Sequence, residues 1–172
     1  MRNIYLVGFM GAGKSSIGEA LADRLRLPFV DLDGHLVAEF AMPIHEVFEQ
    51  FGEACFRDAE RRALRWSSGL EGSVVATGGG AFCASVNRVI IHTAGGRSVF
   101  LDVPWEVLER RLEGDHSGRP KFVDSETARR LYADRRPHYL KATWTVDLAG
   151  SESPREAAER IVMVIAGAPC AT

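Results

Sequence analysis

The stretch from Asn3 to Ser16, N-I-Y-L-V-G-F-M-G-A-G-K-S-S, constrains this chain more than any other part of it. It begins as a short apolar run ending in Val7 and continues as G-x-x-x-x-G-K-S, from Gly8 through Gly13 to Lys14 and Ser15, the pattern of a phosphate-binding loop. Ile4, Leu6 and Val7 suit a strand buried on both faces. The glycines let the chain turn so that successive backbone N–H groups point at one anion. Ile17, Ala20, Leu21 and Leu25 then follow at helical spacing, which places a helix N-terminus behind the phosphates. The loop from Gly11 through Ala12, Gly13, Lys14 and Ser15 to Ser16 is therefore expected to cradle the phosphates of a nucleoside triphosphate. Lys14 would reach the outer phosphates, and the Ser15 hydroxyl would hold a magnesium ion that bridges them. The loop leaves the acceptor open.

Length and charge narrow the rest. At 172 residues the chain fits one domain, long enough to bury roughly 70% of the surface its unfolded form exposes. The net charge is −2 with both signs spread along the chain, so nothing favours nucleic acid or an anionic membrane as partner. The apolar run at the start ends at Val7, too short for a signal peptide or a membrane span, and a cytoplasmic location is expected. Cys55, Cys83 and Cys170 have no metal-ligand spacing and read as ordinary thiols. The five histidines form no H-x-x-x-H pair, so a protein-held zinc is not expected.

Leu27 to Asp33, L-P-F-V-D-L-D, reads as a second buried strand with acids at its C-terminal tip. Side chains two apart on a strand face one way, so Asp31 and Asp33 should point together along the edge that carries the phosphate loop. Helix capping by Asp33 is the competing reading. From Gly34 to Phe51 a helical pattern is broken by Pro43, and Gly52 ends the pair of short helices. The next helix, E-A-C-F-R-D-A-E-R-R-A-L-R-W, sets Arg57 and Glu60 three apart on one face, where the acid can orient the guanidinium for an anionic substrate or form a plain surface pair. Ser73 to Gly80, S-V-V-A-T-G-G-G, is a further buried strand ending in three glycines. Such a run makes sense where something must approach the backbone closely, a flexible turn being the alternative.

A helix over about residues 84–93, the strand R-S-V-F-L-D-V and the helix W-E-V-L-E-R-R-L after Pro104 continue the alternation. Glu113 to Asp124 lacks apolar periodicity and reads as a lid, in which Arg119 and Lys121 could close on phosphate. A helix from Ser125 to Tyr139, the strand T-W-T-V-D-L and a last helix from Pro154 through Ile165 complete the chain. The expectation is one α/β domain over residues 1–172, a three-layer P-loop kinase fold around a five-stranded parallel sheet.

With these residues in view, the chain resembles the shikimate kinases over nearly its whole length. The resemblance is carried by G-F-M-G-A-G-K-S at 8–15, D-L-D at 31–33, G-E-A-C-F-R-D-A-E at 52–60, T-G-G-G at 77–80, R-P at 119–120 and R-R-P-H-Y at 135–139, in that order. It implies transfer of the γ-phosphoryl group of ATP to the 3-hydroxyl of shikimate, giving shikimate 3-phosphate and ADP on the route to chorismate and the aromatic amino acids. By position it implies that Asp33, Arg57, Gly79, Gly80 and Arg135 hold shikimate, Arg57 and Arg135 clamping its carboxylate. Asp33 would orient or deprotonate the attacking hydroxyl, while Lys14 and Arg119 would neutralise charge on the transferred group. Ser15, with Asp31 through water, would hold Mg2+, and Arg111 or Arg110, with Pro154, would lie on the adenine side. A monomer is expected, with ATP and shikimate as its partners. A gluconate kinase would share the loop and the alternation, but need not share D-x-D, F-R-x-x-E and G-G-G together. A non-catalytic sensor derived from such a kinase would tolerate loss of Lys14 or Asp33, and this chain keeps both.

Overall fold

The computed structural model describes residues 2–113 and 125–167. Its strands are β1 (Ile4–Val7), β2 (Phe29–Asp31), β3 (Val74–Ala76), β4 (Arg97–Asp102) and β5 (Trp144–Asp147), all parallel, in the order β2-β3-β1-β4-β5. The helices are α1 (Lys14–Leu25), α2 (Leu32–Phe40), α3 (Ile44–Ser68), α4 (Ser85–Thr93), α5 (Trp105–Glu113), α6 (Ser125–Tyr139) and α7 (Pro154–Ile165). Burial follows strand position. β1 and β3 are buried at every residue, β4 at all but its ends, and the edge strands β2 and β5 only in part. The continuous apolar runs I-Y-L-V and V-V-A are what a strand covered on both faces requires.

Right-handed crossovers fix the layers. Only the step from β1 to β2 runs one way across the sheet, and the later steps run the other way, so α1 lies on one face and α2 to α6 on the opposite one. The last helix, α7, returns to pack along α1. Connections therefore leave the neighbouring strands β1 and β3 in opposite directions, which opens a crevice at their carboxyl ends, the usual ligand position in such sheets. The phosphate loop follows β1 and the T-G-G-G run follows β3, so both border that crevice. Two buried polar groups pin the pair of strands. Thr77 donates both its amide N–H (3.2 Å) and its hydroxyl (2.9 Å) to the Leu6 carbonyl. At the other end Asn3 donates to the Ser67 and Leu70 carbonyls and accepts from the Ser73 amide, each at 2.9 Å.

The structure corrects the D-L-D segment. The second strand ends at Asp31, and Leu32 and Asp33 already belong to α2. Asp31 is the N-cap, its carboxylate accepting from the amides of Asp33 (3.0 Å) and Gly34 (3.2 Å). The two acids thus do not share a strand face, and the capping residue is Asp31 rather than Asp33. An aspartate at this position satisfies two of the otherwise unpaired N–H groups of the helix, which outweighs two more residues of edge strand. Pro43 separates α2 from α3 as expected, and Gly52, at φ +77°, kinks α3 where the sequence suggests a break.

Candidate active site

At the phosphate loop, α1 begins at Lys14, and the Lys14 Nζ donates to the carbonyls of Gly8 (2.9 Å) and Phe9 (2.8 Å). Its ammonium is thereby held against the loop, and the side chain is buried. The Ser15 hydroxyl donates to Oδ2 of Asp31 at 2.5 Å, so the residue that caps α2 with one oxygen reaches the loop with the other. Two hard oxygen donors side by side beneath a phosphate cradle suit Mg2+, which keeps several waters and bonds to phosphate oxygens for its remaining positions.

Across the crevice, three side chains converge on the glycines after β3. A Cβ on Gly78 would lie 2.8 Å from Oδ1 of Asp33 and 3.0 Å from Oε1 of Glu60, and one on Gly80 would lie 2.9 Å from the Arg57 guanidinium. A side chain at either position would have to displace the Asp33 carboxylate or the Arg57 guanidinium, so the run is a close approach and not merely a flexible turn. Gly79 faces Met10 N at 3.4 Å and the Arg135 guanidinium at 3.9 Å by the same measure. The Gly79–Gly80 backbone therefore lies between two guanidinium groups, with a carboxylate beside it and the phosphate loop opposite. A single 3-10 turn, Ala81–Cys83, follows and was not legible in the sequence.

Arg57 is held from several sides. Its Nη1 donates to both Glu60 oxygens (3.1 and 3.2 Å), and Nε and Nη2 donate to Glu53 (3.2 Å each), while the guanidinium lies over the rings of Phe56 and Phe48. Glu60 is only 3% exposed, whereas Glu53 is 68% exposed, so Glu60 is the structural partner. Burial pushes the Glu60 carboxyl up, against the pull of Arg57; nearby Asp33 adds to the rise and Arg135 opposes it. Burial alone would lower the Arg57 pKa, but Glu60 and Glu53 outweigh it and keep the guanidinium firmly charged. A fixed fork with a second arginine across a diglycine can clamp a small carboxylate, and an adjacent acid can read hydroxyls.

Beside the phosphate loop, Arg111 ties two loops together. Its guanidinium donates to the carbonyls of Gly11 in the phosphate loop and Gly150 in the β5–α7 loop, both at 2.8 Å. Arg110 instead donates to the Glu106 carbonyl of its own helix, so of the two arginines it is Arg111 that is bonded to the phosphate loop. Pro154 is the first residue of α7 and is exposed there, behind a Ser153–Glu156 capping box. Glu152 shapes this loop by accepting from the amides of Ala149 (2.9 Å) and Gly150 (2.7 Å). Burial would raise its pKa, but these amides and Arg160 hold the carboxyl below the usual range. Arg119, Lys121 and all of the expected lid except Glu113 lie outside the described residues.

Gly150 sits at φ +84°, and a Cβ there would fall 2.4 Å from a Val107 methyl. Gly150→Ala is expected to cost about 2 to 4 kcal/mol from left-handed strain plus overpacking, a Tm fall on the order of 10 °C in a scanning calorimeter. A change of less than about 2 °C would mean that the loop relaxes freely.

Several contributors escaped the sequence reading. Glu53 stands four residues before Arg57 and could have been found from helical spacing alone. Phe48, Phe56, Glu152 and Tyr139 act through contacts that no local pattern announces.

Known proteins resemble this chain over nearly its whole length. A family model described as shikimate kinase matches residues 10–166. A shikimate kinase of Geobacter sulfurreducens is 43% identical over 152 residues, 87% of this chain and 83% of that protein. One from Sulfurihydrogenibium is 37% identical over 166 residues, 96% of this chain and 98% of its own. Among solved structures, the shikimate kinase of Acinetobacter baumannii in complex with shikimate superposes with a TM-score of 0.90 at 33% identity, covering 97% of this chain and 94% of that one.

Proposed function

The chain belongs to the shikimate kinase family, and from that premise we propose how its own residues carry the reaction. The reaction is transfer of the γ-phosphoryl group of ATP to the 3-hydroxyl of shikimate, giving shikimate 3-phosphate and ADP. The observation that carries the residue assignment is the Gly79–Gly80 backbone set between Arg57 and Arg135, with Asp33 beside it and Lys14 across the crevice.

Arg57 and Arg135, with the Gly79 and Gly80 backbone, bind the shikimate carboxylate. Asp33 accepts a hydrogen bond from the ring hydroxyls and takes the proton of the attacking oxygen. On the donor side the backbone from Gly11 to Ser16 surrounds the phosphates, Lys14 and Arg119 neutralise charge on the transferred group, and Arg111 and Pro154 border the adenine. Ser15, with Asp31 through water, would hold Mg2+, which would supply charge neutralisation at the phosphates. Residues 1–172 act as one domain, as a monomer in the cytoplasm; among the described residues no helix is long and apolar enough to cross a membrane.

The test is ADP release from ATP and magnesium with shikimate, with gluconate and with no acceptor. Release with shikimate alone is expected, and release with gluconate but not shikimate would overturn the acceptor. Arg57→Ala is expected to raise KM for shikimate about 10- to 100-fold while KM for ATP stays nearly constant, since a charge-assisted contact contributes about 1.5 to 3 kcal/mol. Equal effects on both substrates would place Arg57 outside the acceptor site.

A further inference from the structure

Tyr139 is fully buried at the end of α6, its ring tilted against Phe100 at 5.3 Å, and its hydroxyl donates to the Gly79 carbonyl. Arg135 lies four residues earlier, so the same helical face delivers one guanidinium and one phenol to the same glycine. Further along, Asn87 donates to the Ala81 carbonyl (2.8 Å), and Arg88 to those of Phe82 and Cys83 (2.7 Å each). The carbonyls of Gly79, Ala81, Phe82 and Cys83 are thus each held by a side chain of α4 or α6, while that of Gly80 accepts from the Cys83 amide.

The consequence at Gly79–Gly80 follows from peptide geometry. In a trans peptide plane the carbonyl of one residue and the N–H of the next point in opposite directions. With the Gly79 carbonyl drawn to the buried phenol, the Gly80 N–H must point out of the core, on the residue whose Cβ position abuts Arg57. Among the described residues no acceptor takes the Gly80 N–H. A peptide between two glycines has no Cβ on either side to resist flipping, so the backbone by itself does not choose between the two orientations.

Building on the acceptor assignment above, we propose that Tyr139 is a positioning residue which locks the Gly79–Gly80 peptide so that the Gly80 N–H donates to the acceptor carboxylate alongside Arg57. The phenol does not touch the substrate. It removes the flipped state, in which the Gly79 carbonyl would turn toward an anionic ligand and repel it.

Tyr139→Phe keeps the ring against Phe100 and deletes only the hydroxyl. The expected result is a KM and Kd for shikimate raised about three- to tenfold, with KM for ATP and kcat at saturating shikimate within about twofold of wild type. A shikimate KM that does not move, or equal losses for both substrates, overturns the proposal. The companion readout needs no variant: on titrating 15N-labelled wild type with shikimate, the Gly80 amide signal should move strongly downfield, and an unmoved Gly80 amide at saturation overturns the proposal whatever the kinetics. Wild type that binds no shikimate and releases no ADP with it removes the acceptor assignment itself. Active wild type with an unaffected variant removes only the role of Tyr139.

Discussion

Lys14→Ala is expected to lower kcat about 1,000-fold while leaving KM for shikimate within about threefold of wild type. The ammonium is buried and bonded to the carbonyls of Gly8 and Phe9, so it is held in place against the loop proposed to take the phosphates. In phosphoryl transfer there is little covalent chemistry for the protein to perform, and the rate depends on charge placed in advance around the moving group. A lysine removed from a dry site loses far more than one removed from water. Alanine is a good helix former at the first position of α1, so the substitution should not unfold the helix. The check is steady-state ADP release beside calorimetric shikimate binding. A fall in kcat below about tenfold would mean that Arg119 or the loop amides carry the charge instead.

The architecture was legible because its strongest constraints are local. Buried runs such as I-Y-L-V and V-V-A can be little else than central parallel strands, and α6 and α7 begin and end at the residues their patterns mark. The phosphate loop declares its own chemistry. The errors came where two local rules competed. Asp31 could extend an edge strand or cap a helix, and only the presence of two N–H groups to satisfy decides for the cap. The 3-10 turn at Ala81–Cys83 has no pattern of its own; side chains of α4 that bind its carbonyls accompany it. The acceptor side was legible as residue types but not as an arrangement. Arg57 and Glu60 announce each other by spacing, whereas the meeting of Asp33, Arg135 and Tyr139 at the glycines joins residues from α2 and α6 far apart in sequence.

For Asp33→Asn the expected outcome is a kcat about 100- to 10,000-fold lower with shikimate Kd changed by less than about tenfold. Capping falls to Asp31, so the Asp33 carboxylate, in the first turn of α2, lies against Gly78 in the crevice. An asparagine keeps the shape and one acceptor oxygen but cannot take a proton. Binding should therefore survive where catalysis does not. Glu60 supplies the contrast, since it is as close to Gly78 but is buried and bonded to Arg57. Glu60→Gln should loosen Arg57 and act on KM for shikimate, whereas Asp33→Asn should act on kcat. If the two variants exchanged these effects, with Glu60→Gln abolishing turnover and Asp33→Asn only weakening binding, the base would be Glu60 and Asp33 a mere ligand of the ring hydroxyls.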